Sequence, residues 1–208
     1  MERVPDKLPL GRLEAFSDGV FAIAITLLVL ELSVSADAGD HLLRSILDEW
    51  PSYLAYLTSF MTIGVIWLQH SAITGALKAA DSTLYRLNLL VLLLVSFIPF
   101  PTKLVSEFVD DYDAERVAVV FYGLTLLALA LTLTAFVRYA AENPRLVRDE
   151  VAADAVEAAL VHQPDFLFYG IGIAVGLFFP RIGVALFLLT ALYVGIPART
   201  LHRLLRGQ

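Results

Sequence analysis

Residues 12–32 read Arg-Leu-Glu-Ala-Phe-Ser-Asp-Gly-Val-Phe-Ala-Ile-Ala-Ile-Thr-Leu-Leu-Val-Leu-Glu-Leu, and this stretch decides the fold. A bilayer-crossing helix needs about 20 predominantly apolar residues, and 15–32 meets that while carrying Ser17 and Asp18 inside the span. Those two polar residues, and the lack of a small-residue cleavage site before the acidic loop that follows, separate it from a cleaved signal peptide. Three further blocks of the same kind follow at 53–77, 84–100 and 117–137. A fifth apolar stretch, 166–197, is too long for one span and is interrupted at Pro180-Arg181, where proline removes a backbone donor and stops a helix. It reads as two short helices, 166–179 and 182–196. The expectation is an all-α integral membrane protein, residues 1–208 forming one transmembrane domain of six spans. Four spans plus a re-entrant hairpin is the alternative, and it puts the C-terminus on the same side.

Composition agrees. The 208-residue chain is 58% hydrophobic and 17% charged, with mean hydropathy +0.73, against roughly 45–50% and 25% in soluble domains. This excludes a disordered chain, an ordinary soluble enzyme and a basic nucleic-acid-binding module; the formal net charge is −6. With no cysteine, disulfides, thiol nucleophiles and cysteine-ligated metals are excluded too, and no cofactor is expected.

Loop charges orient the spans. Arg3, Lys7, Arg12, Lys78, Arg86, Arg138, Arg145, Arg148, Arg199, Arg203 and Arg206 fall on one side, and only Arg44, Lys103, Arg116 and Arg181 on the other. The positive-inside rule places both termini in the cytoplasm. Glu31, Asp37, Asp40, Asp48, Glu49, Glu107, Asp110, Asp111, Asp113 and Glu115 make the outer side acidic. That field favours cations, although acidic outer loops also arise simply because bases stay inside. Two connections are amphipathic. Residues 40–50 group Leu42, Leu43, Ile46 and Leu47, with Asp40 as a candidate N-cap. Residues 144–160 have Asn143 as a candidate cap and Pro144 at the first helical position, and are expected as a cytoplasmic or interfacial helix.

Polar residues inside spans face protein or water, because burying them in lipid is costly. Asp18, Gln69, His70 and Asn88 qualify. With the N-terminus inside, Asp18, His70 and Asn88 fall at a similar depth in the cytoplasmic half. A carboxylate, an imidazole and an amide there can lock three helices together, or serve as a proton relay or ion site. On a wheel of about 100° per residue, Phe16, Gly19, Ile23, Thr26, Leu27 and Leu30 share a face. Ser17 and Asp18 point away from it, which favours the scaffold role for Asp18. An apolar stripe is ordinarily lipid-facing or core.

The signature Arg12-x-x-x-Phe16-Ser17-Asp18, running into Gly19–Leu32, resembles the first helix of the transmembrane protein 175 family of potassium channels in its single-repeat prokaryotic form. Trp67-x-x-His70 and Asn88 support the likeness, which is most specific in 12–32 and weak after the third span. It implies a potassium-preferring, leak-type cation channel, a homotetramer in the cell membrane of a prokaryote. Its partners would be potassium ions and the lipid bilayer, with no metal bound beyond transient potassium in the pore. The first helix of each subunit would line that pore. Ile23 would form the narrowest hydrophobic constriction, with Leu27 and Leu30 beyond it and Thr26 associated with selectivity. Arg12, Phe16, Ser17, Asp18, Trp67, His70 and Asn88 would form an inter-helix network. The chain has no Thr-Val-Gly-Tyr-Gly filter, and a narrow apolar neck can gate by dewetting.

Three other classes compete. A proton-coupled secondary transporter or other small-cation carrier needs a midplane polar site on broken helices; none is evident. An intramembrane enzyme needs a set such as His-Glu-x-x-His, which the sequence lacks. A structural or assembly protein is compatible with the composition. Gly172-x-x-x-Gly176 reads as a close helix contact.

Overall fold

The computed structural model describes residues 10–33, 41–108, 111–149, 152–154, 156 and 166–195. The terminal basic residues Arg3, Lys7, Arg199, Arg203 and Arg206, the acids Asp37, Asp40 and Asp110, and the end of the sixth span lie outside the described residues.

Among them the chain is helical: α1 (Leu10–Leu27), continued by a 3₁₀ turn Leu28–Glu31, α2 (Leu42–Asp48), α3 (Trp50–Ala76), α4 (Ser82–Phe97), α5 (Pro99–Glu107), α6 (Tyr112–Ala141), a 3₁₀ turn Pro144–Leu146, α7 (Phe166–Gly176) and α8 (Pro180–Gly195). Among the described residues four segments are long and apolar enough to cross a membrane: Leu10–Glu31, Trp50–Ala76, Ser82–Glu107 and Tyr112–Ala141. The third runs on through α4 and α5, past residue 100, where the sequence suggested its end. Pro99 and Pro101 interrupt the hydrogen-bond ladder without ending the rod, because Pro99 takes a first-turn position that needs no N–H. The backbone tightens there, Ile98 N–H bonding Val95 C=O at 3.2 Å.

The last two helices have 11 and 16 residues, about 17 and 24 Å at 1.5 Å per residue, against a hydrocarbon core of about 30 Å. Their junction is displaced from the expected one. Pro180 opens α8 rather than sitting in a gap before Ile182, and α7 stops at Gly176 rather than Phe179. Gly176 and Gly183 let the hairpin's backbones touch: a Cβ on Gly183 would lie 2.8 Å from Gly176 Cα. The Phe187 ring, fully buried, fills the space over Gly123 of α6 and Gly172 of α7, where a Cβ would come within 2.5 Å of the ring at either glycine.

α6 is the hub. It packs on α4, α5, α7 and α8, while α3 packs on α8, α1 and α5, and α1 lies against α4 and α3. The Leu42–Asp48 helix exposes Leu42, Leu43, Ile46 and Leu47, as a helix lying on an interface does. His41, not Asp40, occupies its N-cap position, without a side-chain bond. Of the segment 144–160 expected as a helix, residues 144–149 form a 3₁₀ turn and a bridge, 152–154 and 156 are helical, and the others lie outside the described residues. Asn143 holds the N-cap position of the Pro144–Leu146 turn, with Pro144 opening it, but makes no side-chain cap bond; its amide donates to Tyr139 C=O at 2.7 Å. Buried Leu146 and Val147 then draw the chain against Leu77 as an antiparallel bridge. Lys78 N–H to Leu146 C=O at 2.8 Å and Arg148 N–H to Ala76 C=O at 3.0 Å close it.

Candidate functional site

The two faces of α1 differ sharply. Leu13, Ser17, Phe21, Ala24 and, in the 3₁₀ turn, Leu28 are buried against the subunit. Phe16, Gly19, Ile23, Thr26, Leu27 and Leu30 are exposed, Ile23 by 61% and Leu30 by 71%. In a 3₁₀ turn residues i and i+3 eclipse, so Leu30 stands over Leu27 instead of drifting back across the stripe. Thr26 Oγ donates to Ile23 C=O at 2.9 Å. Its proton is thus taken up by its own helix, and its lone pairs are left toward the exposed side.

The buried face ends in a short chain of hydrogen bonds. His70 Nε2 meets Asn88 Oδ1 at 2.6 Å, Asn88 Nδ2 donates to Ser17 Oγ at 3.0 Å, and Ser17 Oγ donates to Leu13 C=O at 2.7 Å. All three side chains are at most 2% exposed. The His70 ring is held between Phe21, at 5.4 Å and tilted, and Phe136, stacked at 5.5 Å. With the proton on Nε2, each group donates to the next and the chain ends on a backbone carbonyl. Such a network gives each of these buried groups a partner and joins α1, α3 and α4.

Asp18 is placed elsewhere. The carboxylate expected to meet His70 and Asn88 is exposed and accepts instead from Trp67 Nε1 at 2.9 Å. On the wheel it falls about 60° outside the buried stripe, so it reaches the rim of α3 rather than the interior; the serine beside it takes the inner place. Arg12 and Phe16 lie on exposed surface, away from the buried chain. Gln69 is half-buried and turns toward α6, α7 and α8 rather than toward His70.

Three polar clusters escaped the sequence reading. Ser59 Oγ bonds Thr102 Oγ1 at 2.7 Å and the Tyr122 hydroxyl at 2.8 Å, pinning α3, α5 and α6 in the interior. At the acidic end, Glu115, 5% exposed, meets Arg181 at 3.3 Å, whose guanidinium lies 5.7 Å from the Trp50 ring centroid. At the basic end, Asp81 caps α4 through Leu84 N–H at 3.0 Å and receives Tyr139 Oη at 2.8 Å and Arg145 at 3.2 Å. Burial by itself would raise this carboxyl's pKa; the Leu84 amide, Tyr139 and Arg145 outweigh it and hold the pKa below the ordinary carboxylate range. Among the described residues no group of three or more His, Cys, Asp or Glu is placed to hold a metal.

A family model described as endosomal/lysosomal potassium channel TMEM175 matches residues 12–99. A protein named a potassium channel from Chamaesiphon minutus is 42% identical over 161 residues, covering 76% of this chain and 79% of its own. Another, from Streptomyces collinus, is 40% identical over 152 residues, covering 73% and 74%. The crystal structure described as a lysosomal potassium-selective channel TMEM175 homolog from Chamaesiphon minutus superposes with a TM-score of 0.78 at 35% identity, covering 89% of this chain and 95% of that one. The fold, the first-helix motif and these relatives agree: the chain belongs to the TMEM175 family of ion channels, which are not enzymes.

Proposed function

We propose that this protein is a potassium-preferring cation channel of leak type, acting as a homotetramer in a prokaryotic cell membrane with both termini cytoplasmic. The observation that carries the reading is the unpartnered stripe on α1. A helix whose window is only 28% buried keeps one face exposed while a buried hydrogen-bond network fixes the other. Exposure alone suits lipid as well as a pore; membership in a channel family favours the pore. One stripe per subunit makes a closed conduit only by repetition around an axis, which cyclic symmetry supplies. The basic residues described at the end where α1 begins, Arg12, Lys78, Arg86, Arg138, Arg145 and Arg148, support the orientation.

In this reading Ile23 forms the constriction, Leu27 and Leu30 continue it toward the acidic end, and four Thr26 oxygens beside it offer lone pairs that replace part of an ion's hydration. An apolar neck of this kind conducts when wetted and blocks when dry. Each subunit contributes six spans (α1, α3, α4 with α5, α6, α7 and α8), with the α7–α8 pair as a short hairpin on the side of the bundle away from α1. Ser17, His70 and Asn88 position the pore helix, and Asp18 with Trp67 braces its rim. Purified protein in planar bilayers tests the reading. A potassium current whose reversal potential follows the potassium gradient over sodium supports it. Flux that depends on a proton gradient and shows no open-channel current would replace it with a carrier.

A further inference from the structure

The interior between α3, α6, α7 and α8 contains a narrow cavity lined by Thr62, Val65, Gln69, Leu133, Tyr169 and Ala191, among others, with about 10 Å³ of room for the centre of a water-sized sphere. Thr62 is 3% exposed, and among the described residues its Oγ1 makes no hydrogen bond of ordinary geometry, its contact with the Tyr122 hydroxyl being a loose one. It differs in this from the other buried threonines of the spans: Thr58, Thr74, Thr102, Thr125 and Thr190 all bond a backbone carbonyl about one turn back. A buried hydroxyl left without a partner is costly. Two further residues with polar side chains, Gln69 and Tyr169, line the same space.

We infer that this cavity is a binding site for a single water molecule, held by Thr62, Gln69 and Tyr169. A buried water needs roughly 10–15 Å³ of such room and two to four polar partners, so the space takes one molecule and no larger ligand. The water joins α7 to α3, whereas direct packing of α7 falls on α6 and α8. It also extends an existing polar seam. Ser59, one turn before Thr62 on α3, bonds Thr102 and Tyr122; the Tyr122 hydroxyl also approaches the Thr62 side chain as a weak hydrogen-bond neighbour and lies within electrostatic reach of Tyr169. With the water in place, hydroxyls from four helices form one connected group. The site stands independently of the channel reading, because none of its residues lies on α1.

The test is a structure of the full chain at a resolution that shows other buried waters, for the parent, Thr62→Val and Thr62→Ser. The expected result is a peak within hydrogen-bond distance of Thr62 Oγ1 and of Gln69 or Tyr169 in the parent and in Thr62→Ser, and its loss in Thr62→Val. Thr62→Val, with its volume unchanged, should also melt below the parent because Gln69 and Tyr169 lose a shared partner. A cavity without density in the parent, together with a higher melting midpoint for Thr62→Val, overturns the inference. So does a peak that acquires anomalous signal from thallium, which makes it a cation site.

Discussion

The two faces of α1 are built from similar residues yet have opposite fates. One is closed by Leu13, Phe21, Ala24 and Leu28 packing and by Ser17 hydrogen-bonding into α4. The other carries Phe16, Ile23, Leu27 and Leu30, all of them exposed. Apolar character does not separate them, since lipid tails receive leucine as readily as protein does; packing and internal hydrogen bonds decide which face is held. A single serine, in register with Asn88 and His70, marks the held face.

The comparison breaks most completely at Asn88. Asn88→Leu deprives both His70 and Ser17 of their partner, at about 1–3 kcal/mol for each buried group left unsatisfied. We expect a large fall in melting midpoint and in recovered assembly by size-exclusion chromatography. A variant that melts with the parent would show that packing alone holds α1. The next effect lies on the exposed face. Ile23→Ala should raise basal potassium flux about tenfold, equivalent to about 1.4 kcal/mol of barrier, and Ile23→Asn should raise it further. Leu124→Ala, at an exposed position on α6, serves as control and should leave flux unchanged. Equal flux from assembled Ile23→Ala and the parent would falsify the constriction. Thr26→Val keeps the volume but removes the oxygen, so the potassium/sodium reversal potential should move toward sodium with a smaller change in conductance. An unchanged reversal potential would leave Thr26 outside selectivity.

Asp81→Asn should cost about 1 kcal/mol through the weakened cap and the lost Arg145 pair, read as a lower melting midpoint at neutral pH. Because the folded carboxyl is held below its ordinary range, its stabilising contribution is full above that range. It is lost only as pH falls through the lower, folded value. The parent should therefore show no Asp81-dependent change between about pH 5 and 8; a variant-sensitive transition inside that window would contradict the geometry. The smallest effect belongs to Asp18→Ala. With its carboxylate exposed and bonded to one indole, the loss should stay below about 1 kcal/mol. A collapse as severe as that of Asn88→Leu would return Asp18 to the centre of the network.

These magnitudes also show what the sequence could reveal. The long spans were legible because hydrophobicity sustained over a bilayer's width leaves few alternatives. The stripe on α1 was legible because 3.6-residue periodicity places Ile23, Leu27 and Leu30 together whatever they face. The sequence placed Ser17 and Asp18 together in one network, but which of them reaches the interior was not legible, because adjacent residues differ by about 100° and only the position of α4 says which is inside. The Ser59–Thr102–Tyr122 cluster joins ordinary residues 43 and 63 positions apart. In spans where most hydroxyls bond their own backbone, nothing local distinguishes those that do not. The ends of α7 and α8 shifted because proline can begin a helix as well as stop one, and only the Gly176–Gly183 approach resolves which.

That hairpin has a consequence for biogenesis. Within the described residues α7 and α8 are each shorter than a full crossing, and the receptor for the buried Phe187 of α8 includes Gly123, in a helix synthesised earlier. Phe187 itself emerges last of the parts it joins. Integration of the hairpin is therefore coupled to a surface already assembled in the membrane, and ribosome-bound chains that stop short of Phe187 should leave α6 accessible to lipid-borne crosslinkers.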